Sequence, residues 1–172
     1  MIYFVTENYI KTNTPITKNV DVTDVTPWLK TVSDQRVQPI LGTYFYNDIL
    51  TKYNAQTLSA DETTLVEYIQ PIVAWFGASA AAFGLSYQIK NKGIQQQFGD
   101  FSQQVTFSEV TFTMEHLEQI GFFYIRRLEF YLTENKALFA NFTSDLNKDS
   151  DLKPIIDKCD NSDDYNNTMI VL

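Results

Sequence analysis

Between Gln70 and Ile89 the chain carries no formal charge over a length close to that of a bilayer-crossing helix, and any fold must hide this stretch. Pro71, Ser79, Ser86, Gln88 and several Gly and Ala make it far less apolar than an ordinary span. It is therefore expected to be a buried helix of a soluble assembly rather than a membrane segment. Its start is marked by Ser59-Ala60-Asp61-Glu62, a capping box in which the Ser hydroxyl and Glu carboxylate each satisfy the other's backbone N–H. Leu65, Ile69, Ile72, Phe76, Phe83 and Tyr87 then recur at three- and four-residue steps. A continuous helix to Lys90 would be roughly 45 Å long. Pro71 removes a backbone donor and crowds the preceding turn, so a kink or break is expected there.

The remaining elements arrange themselves around this helix. Met1 to Val20 mixes β-formers with Thr, Asn and Pro15 without helical period, which predicts an extended or β-hairpin arm. Thr26-Pro27 is the expected first helix start, with Thr as N-cap and Pro at the first helical position. Ser33-Asp34 is expected to cap a second short helix carrying Val37, Ile40 and Leu41. Gly42-Thr43 would end it and cap a third, with Tyr44, Phe45, Ile49 and Leu50 on its buried face. Asn91-Lys92-Gly93 is expected to close the long helix, and Ile94 to Phe107 to form a long loop or irregular hairpin. Ser108 or Thr113 would cap a second long helix through Leu132, with Val110, Met114, Leu117, Tyr124, Leu128 and Tyr131 as its stripe. The fold class is thus mainly α: a helical bundle with two long helices (about 59–90 and 108–133), short N-terminal helices and an arm at each end. One domain over 1–142, including the extended arm 1–20, would be followed by an acidic C-terminal arm over 143–172. That arm is rich in Asp, yet carries the apolar run Met169-Ile170-Val171-Leu172, which reads either as a docking segment or as a frayed end.

Chemistry is sparse. A net charge of -8 and a pI near 4.5 disfavour a protein that grips nucleic-acid phosphates, and Lys90 and Lys92 beside Phe98 and Phe101 are too few basic groups to change that. The lone His116 and lone Cys159 cannot complete a structural zinc site, and a di-iron bundle needs two histidines. Glu115 and Glu118 share a polar face and are most simply solvated. Phosphate-cradling glycine loops are absent from the sequence. No catalytic residue, cofactor or metal is expected, and the chain is not expected to be an enzyme. The opening Met1-Ile2-Tyr3-Phe4-Val5 run is too short for a secretory leader and suggests a chain made in a reducing cytoplasm.

Assembly is the alternative to chemistry. The aromatic fraction of 15% supplies more large anchors than a modest core needs, read either as interface residues or as a Phe-rich core. Ala74, Gly77, Ala81 and Gly84 form a small-residue stripe that lets a neighbouring backbone approach, belonging either to a second subunit or to the chain's own later long helix. Phe122 sits amid the polar stripe of that later helix, and Phe123 and Phe130 widen its apolar side. Ala74, Gly77, Ala81, Gly84 and Phe122 are accordingly the candidate subunit interface, and Met169, Ile170, Val171 and Leu172 the candidate docking arm.

The order of several phrases carries a resemblance. Asn19-Val20-Asp21 follows the N-terminal segment, then come Val37-Gln38-Pro39-Ile40-Leu41-Gly42-Thr43-Tyr44-Phe45-Tyr46, the capped Ala-rich helix, and Lys92-Gly93-Ile94. Later stand Tyr124-Ile125-Arg126-Arg127-Leu128, Tyr131-Leu132, Asn135 and Leu138-Phe139. Across Ile2 to Phe142 this resembles the head-tail connector (adaptor, or head-completion) proteins of tailed bacteriophages, of the type found in crAss-like phages. The acidic tail is left unplaced. The resemblance implies a dodecameric ring, a homo-oligomer bound to the portal protein on one side and to a further connector or tail protein on the other. DNA would pass through the lumen without specific binding, and the protein would lie in the virion neck after synthesis in the host cytoplasm. It also implies that Asp160 to Leu172 reaches onto the portal. The alternative is a monomeric or dimeric helical adaptor that binds a partner peptide or helix in an aromatic groove.

Overall fold

Two capping boxes frame the molecule. The Ser59 N–H donates to Glu62 Oε2 at 2.8 Å while Ser59 Oγ accepts from the Glu62 N–H at 3.2 Å, opening α5 (Ala60–Ser86). Thr106 and Glu109 repeat the exchange at the start of α6 (Phe107–Asn135), with 2.7 Å from the Thr106 nitrogen to Glu109 Oε2. The computed structural model describes residues 3–90, 93–96 and 106–154. Before α5 come α1 (Glu7–Asn13), α2 (Val22–Val32), a π-helical turn (Ser33–Val37), α3 (Gln38–Leu41) and α4 (Thr43–Ala55). Strands β1 (Tyr87–Lys90) and β2 (Gly93–Gln96) follow α5, and a 3-10 turn (Lys136–Leu138) and α7 (Asp145–Lys148) follow α6. The architecture is a mainly helical bundle.

The uncharged helix is buried as expected of a core element. α5 lies against α6 on one side and against α2 and the π turn on another, and Leu65, Ile69, Ile72, Val73, Ala74, Phe76 and Ala81 are buried. By length and composition α5 also meets the requirements of a membrane span, but its buried positions face the chain's own helices. It runs without interruption through Pro71. Proline leaves the Glu67 carbonyl without its ladder donor, and Glu67 lies on the exposed side, where water can serve instead.

The N-terminal arm is corrected to a helix built into the core. Thr6 Oγ1 caps α1 by accepting from the Tyr9 N–H at 3.2 Å, and Lys11 pairs with Glu7 at 2.7 Å. Ile10 is its single buried residue, so seven residues of helix offer no periodic signal to read. Phe4, at φ +59°, turns its ring onto Tyr46 and Tyr53 with centroids 5.6 and 5.8 Å away. α2 begins one turn before the expected Thr26-Pro27 start, because Asp21 accepts from the Thr23 N–H at 2.9 Å; Pro27 falls inside the helix. Ser33 does not break the helix. The π turn continues it into α3, with the Gln38 N–H donating to the Ser33 carbonyl, and this wider turn accommodates Pro39 just beyond.

α5 stops at Ser86 rather than Lys90. Residues 87–90 instead pair antiparallel with 93–96, from Tyr87 opposite Gln96 to Lys90 opposite Gly93. Gly93, expected in the helix cap, instead opens β2, while Asn91, Lys92 and positions 97–105 of the expected loop lie outside the described residues. α6 starts ahead of Ser108 and Thr113, at the Thr106 box.

Packing continues past Phe142, where the acidic arm was expected to begin. Asn147 is fully buried: its Nδ2 donates to the carbonyls of Leu41 and Phe142, both at 2.9 Å, and its Oδ1 accepts from the Phe45 N–H at 3.2 Å. Gly42 makes room for it, with φ +79° and a Cβ position that would overlap the Asn147 amide. The Thr43 N–H donating to the Leu152 carbonyl at 3.0 Å holds the following residues to the same place.

Candidate functional site

The small-residue stripe is filled from within the chain. A Cβ on Gly77 would stand 2.5 Å from Leu29 Cδ2, one on Gly84 would overlap the Trp28 ring, and Ala74 and Ala81 are fully buried. The close neighbour is α2, which was neither of the expected partners. On the α6 side the close approach is made by Gly121, whose Cβ position lies 2.5 Å from the Phe76 ring. These residues therefore set the spacing of the bundle, with Gly84 the one member of the stripe that stays partly exposed.

Phe122 is half inside. It is 41% exposed, meets Phe76 edge-on at 5.1 Å, and shares the Arg36 guanidinium, which stands 4.7 Å from the Phe76 ring and 5.4 Å from its own. A cation over two rings covers part of their apolar faces and keeps its own charge at the surface.

The face with no partner among the described residues lies elsewhere on α6. At about 100° per residue, Phe112, Phe123 and Phe130 fall within about 20° of one line, directly opposite the seam of Val110, Gly121, Leu128 and Leu132. Their exposures are 72%, 58% and 70%, whereas all four seam residues are buried. Exposed phenyl rings scattered singly need no explanation, but three in a row opposite the core do.

Towards the end of α6 this line becomes a groove. Phe123, Phe130 and Tyr131 line it with Arg126, Arg127, Glu134 and Asn135, and Tyr68 of α5 forms the other wall. Tyr68 stacks on Tyr131 with centroids 4.4 Å apart, and the Arg127 guanidinium stands 5.5 Å from the Tyr68 ring and 6.0 Å from Phe123. Among the described residues neither Arg126 nor Arg127 forms an ion pair. Burial raises the Glu129 carboxyl above its ordinary range, opposed in part by Arg126. The groove is aromatic and basic on a protein that is acidic as a whole.

The chain matches the model of a protein family described as a family of unknown function, DUF6712, over residues 37–151. It belongs to that family. The DUF6712 match takes in α3 through α7, hence the groove, the Gly121 contact and the buried Asn147, and leaves out α1 and also α2, whose Trp28 and Leu29 meet the small-residue stripe. No curated protein and no solved structure matches the chain.

Other candidates are weaker. An open groove between α1 and the α4–α5 connection is lined by Val5, Glu7, Tyr53 and Leu58, and its one carboxylate is already paired with Lys11. Among the described residues no cluster of His, Cys, Asp and Glu is arranged to hold a metal. Glu115 and His116 are exposed on α6. Cys159 and the candidate docking residues Met169, Ile170, Val171 and Leu172 lie outside the described residues. Sequence reasoning missed Phe112, Arg127 and Tyr68. The first could have been found from its spacing of eleven and eighteen residues to Phe123 and Phe130, which returns to one side of a helix.

Proposed function

We propose that the chain is a non-enzymatic structural subunit that assembles through the outward face of α6. The observation that carries this reading is the line Phe112, Phe123 and Phe130 set opposite a complete core seam. Fully burying a Phe side chain is worth about 1.5–3 kcal/mol, and aromatic and arginine side chains dominate interface energetics, so this face has the composition of a contact centre.

Taken with the resemblance to phage head-tail connectors, the subunit belongs to a homo-oligomeric, dodecameric ring beneath the portal of a tailed phage, in the virion neck. Portal protein would sit on one side and a further connector or tail protein on the other. The net charge of -8 suits that place: a negative lumen repels DNA phosphates and lets the duplex slide without specific binding. Electron microscopy of the protein mixed with its portal tests the reading. The expected result is a ring at the portal's narrow end; a monomer or dimer by native mass spectrometry in the presence of portal overturns it. The gathering of Tyr68 from α5 with Arg127 and Phe130 near the end of α6 favours a second reading, a monomeric or dimeric adaptor that takes one partner helix or peptide there.

A further inference from the structure

We propose that the outward face of α6 is self-complementary and pairs with a second copy of the chain, antiparallel about a two-fold axis near Gly121. The pairing rests on the assembly reading above only in using the same face; it needs neither portal nor ring and belongs to the free protein. Phe112, Phe123 and Phe130, at 72%, 58% and 70% exposure, present roughly 400 Å² of phenyl surface per copy. That is about half of what one side of a standard interface covers, which suits an apolar centre with a charged rim.

The charges select the partner and the register. Glu115 stands toward the start of α6 and Arg126 and Arg127 toward its end; all three are exposed, and none forms an ion pair among the described residues. A parallel pairing would set each arginine against its own copy. The antiparallel register that puts Phe123 on the partner's Phe130 fails in the same way, because Arg126 then faces the partner's Arg127. Setting Phe112 on the partner's Phe130 avoids both. By symmetry that contact is made twice, and the two Phe123 rings fall on either side of the axis, about 6 Å apart along the helix. Arg126 then comes opposite the partner's Glu115 to within one residue. The two lie on the same flank of the phenyl line, about 60° and 80° from Phe123, and a two-fold axis of this kind brings like flank to like flank. Each arginine thus meets a carboxylate, again twice. The opposing contact is at the rim, where Glu134 approaches the partner's Glu109; Glu134 is exposed and the Glu109 carboxylate is already engaged by Thr106.

Sedimentation equilibrium of the full-length protein alone, at low salt, is expected to show a dimer. Arg126→Glu sets carboxylate against carboxylate at two symmetry-related places and is expected to weaken the dimer about tenfold or more. Adding Glu115→Arg to that variant is expected to restore it, and Glu134→Lys alone to tighten it about threefold by facing the partner's Glu109. The register is read by cross-linking with a short bismaleimide in a Cys159→Ser background, which removes the chain's only thiol. Gln119→Cys, whose copies stand about 6 Å apart along the helix, is expected to link to itself. Thr133→Cys, whose copies stand about 36 Å apart, is expected to link only when mixed with Ser108→Cys protein, which it then faces. A monomer at every concentration, a Thr133→Cys protein that links to itself, or a charge swap as weak as Arg126→Glu alone each overturns the proposal. Because portal is absent throughout, loss of the dimer leaves the ring reading standing, and a ring formed on portal does not rescue the dimer.

Discussion

α5 and α6 are opened by the same device, a hydroxyl and a glutamate exchanging backbone bonds, yet they end in opposite situations. α5 is enclosed on more than one side, by α6 and by α2 with the π turn, and even its glycines are positions where another side chain arrives. α6 buries one narrow seam and turns Phe112, Phe123 and Phe130 outward. Equivalent local signals therefore say where a helix starts but not what it serves. In α5 the apolar residues build the fold; in α6 those facing away from the seam remain available to something else.

The contrast should be visible in stability. Replacing Ile72, fully buried on α5, by Ala is expected to cost about 2–5 kcal/mol, read as a lowered denaturation midpoint. A smaller loss would mean that α5 is less tightly enclosed than its burial indicates. On the buried seam of α6, Gly121→Val should cost about 1–3 kcal/mol, because the new side chain meets the Phe76 ring and forces the two helices apart. Indifference there would show that the crossing can yield.

Much of the bundle was legible. The Ser59 box, the Leu65–Ile69–Ile72–Phe76 seam and the existence of a second long helix followed from spacing and capping chemistry. What was lost has physical causes. α1 buries only Ile10 and so has no period, and the Thr106 box was obscured by Ser108 and Thr113, which suit an N-cap equally well by residue type. The stripe Ala74, Gly77, Ala81 and Gly84 announces that a backbone comes close, but spacing does not say whose; Trp28 and Leu29 supply the answer. Asn147 bonds to Phe45 and Leu41 across 102 and 106 residues, a separation over which no local pattern carries information. Phe122 was singled out for standing in a polar stripe, and the polar neighbour that covers it is Arg36, from the π turn.

A weaker effect sharpens the difference between the seam and the rest of α6. Glu129 has its carboxyl raised by burial, so its charged form is disfavoured in the folded state, and the penalty applies at neutral pH. Glu129→Gln is expected to stabilise the protein at pH 7 by less than about 1 kcal/mol, since the group is only partly buried. The gain should shrink as pH falls through the raised folded value, where the wild-type side chain takes up its proton, and vanish below the ordinary carboxylate range. Thermal melts of both proteins across pH check this, and a gain that persists at low pH would assign it to packing rather than charge.

The smallest expected effect on folding belongs to the residues that matter most for the proposed function. Phe112→Ser, Phe123→Ser and Phe130→Ser, combined in one variant, change rings that contribute little to the core and should leave the thermal midpoint nearly unchanged. Native mass spectrometry of this variant beside the wild type, each mixed with portal, is the most direct test of α6 as an assembly surface. The account predicts multimers for the wild type and single chains for the equally stable variant. The same multimers from both proteins would contradict it.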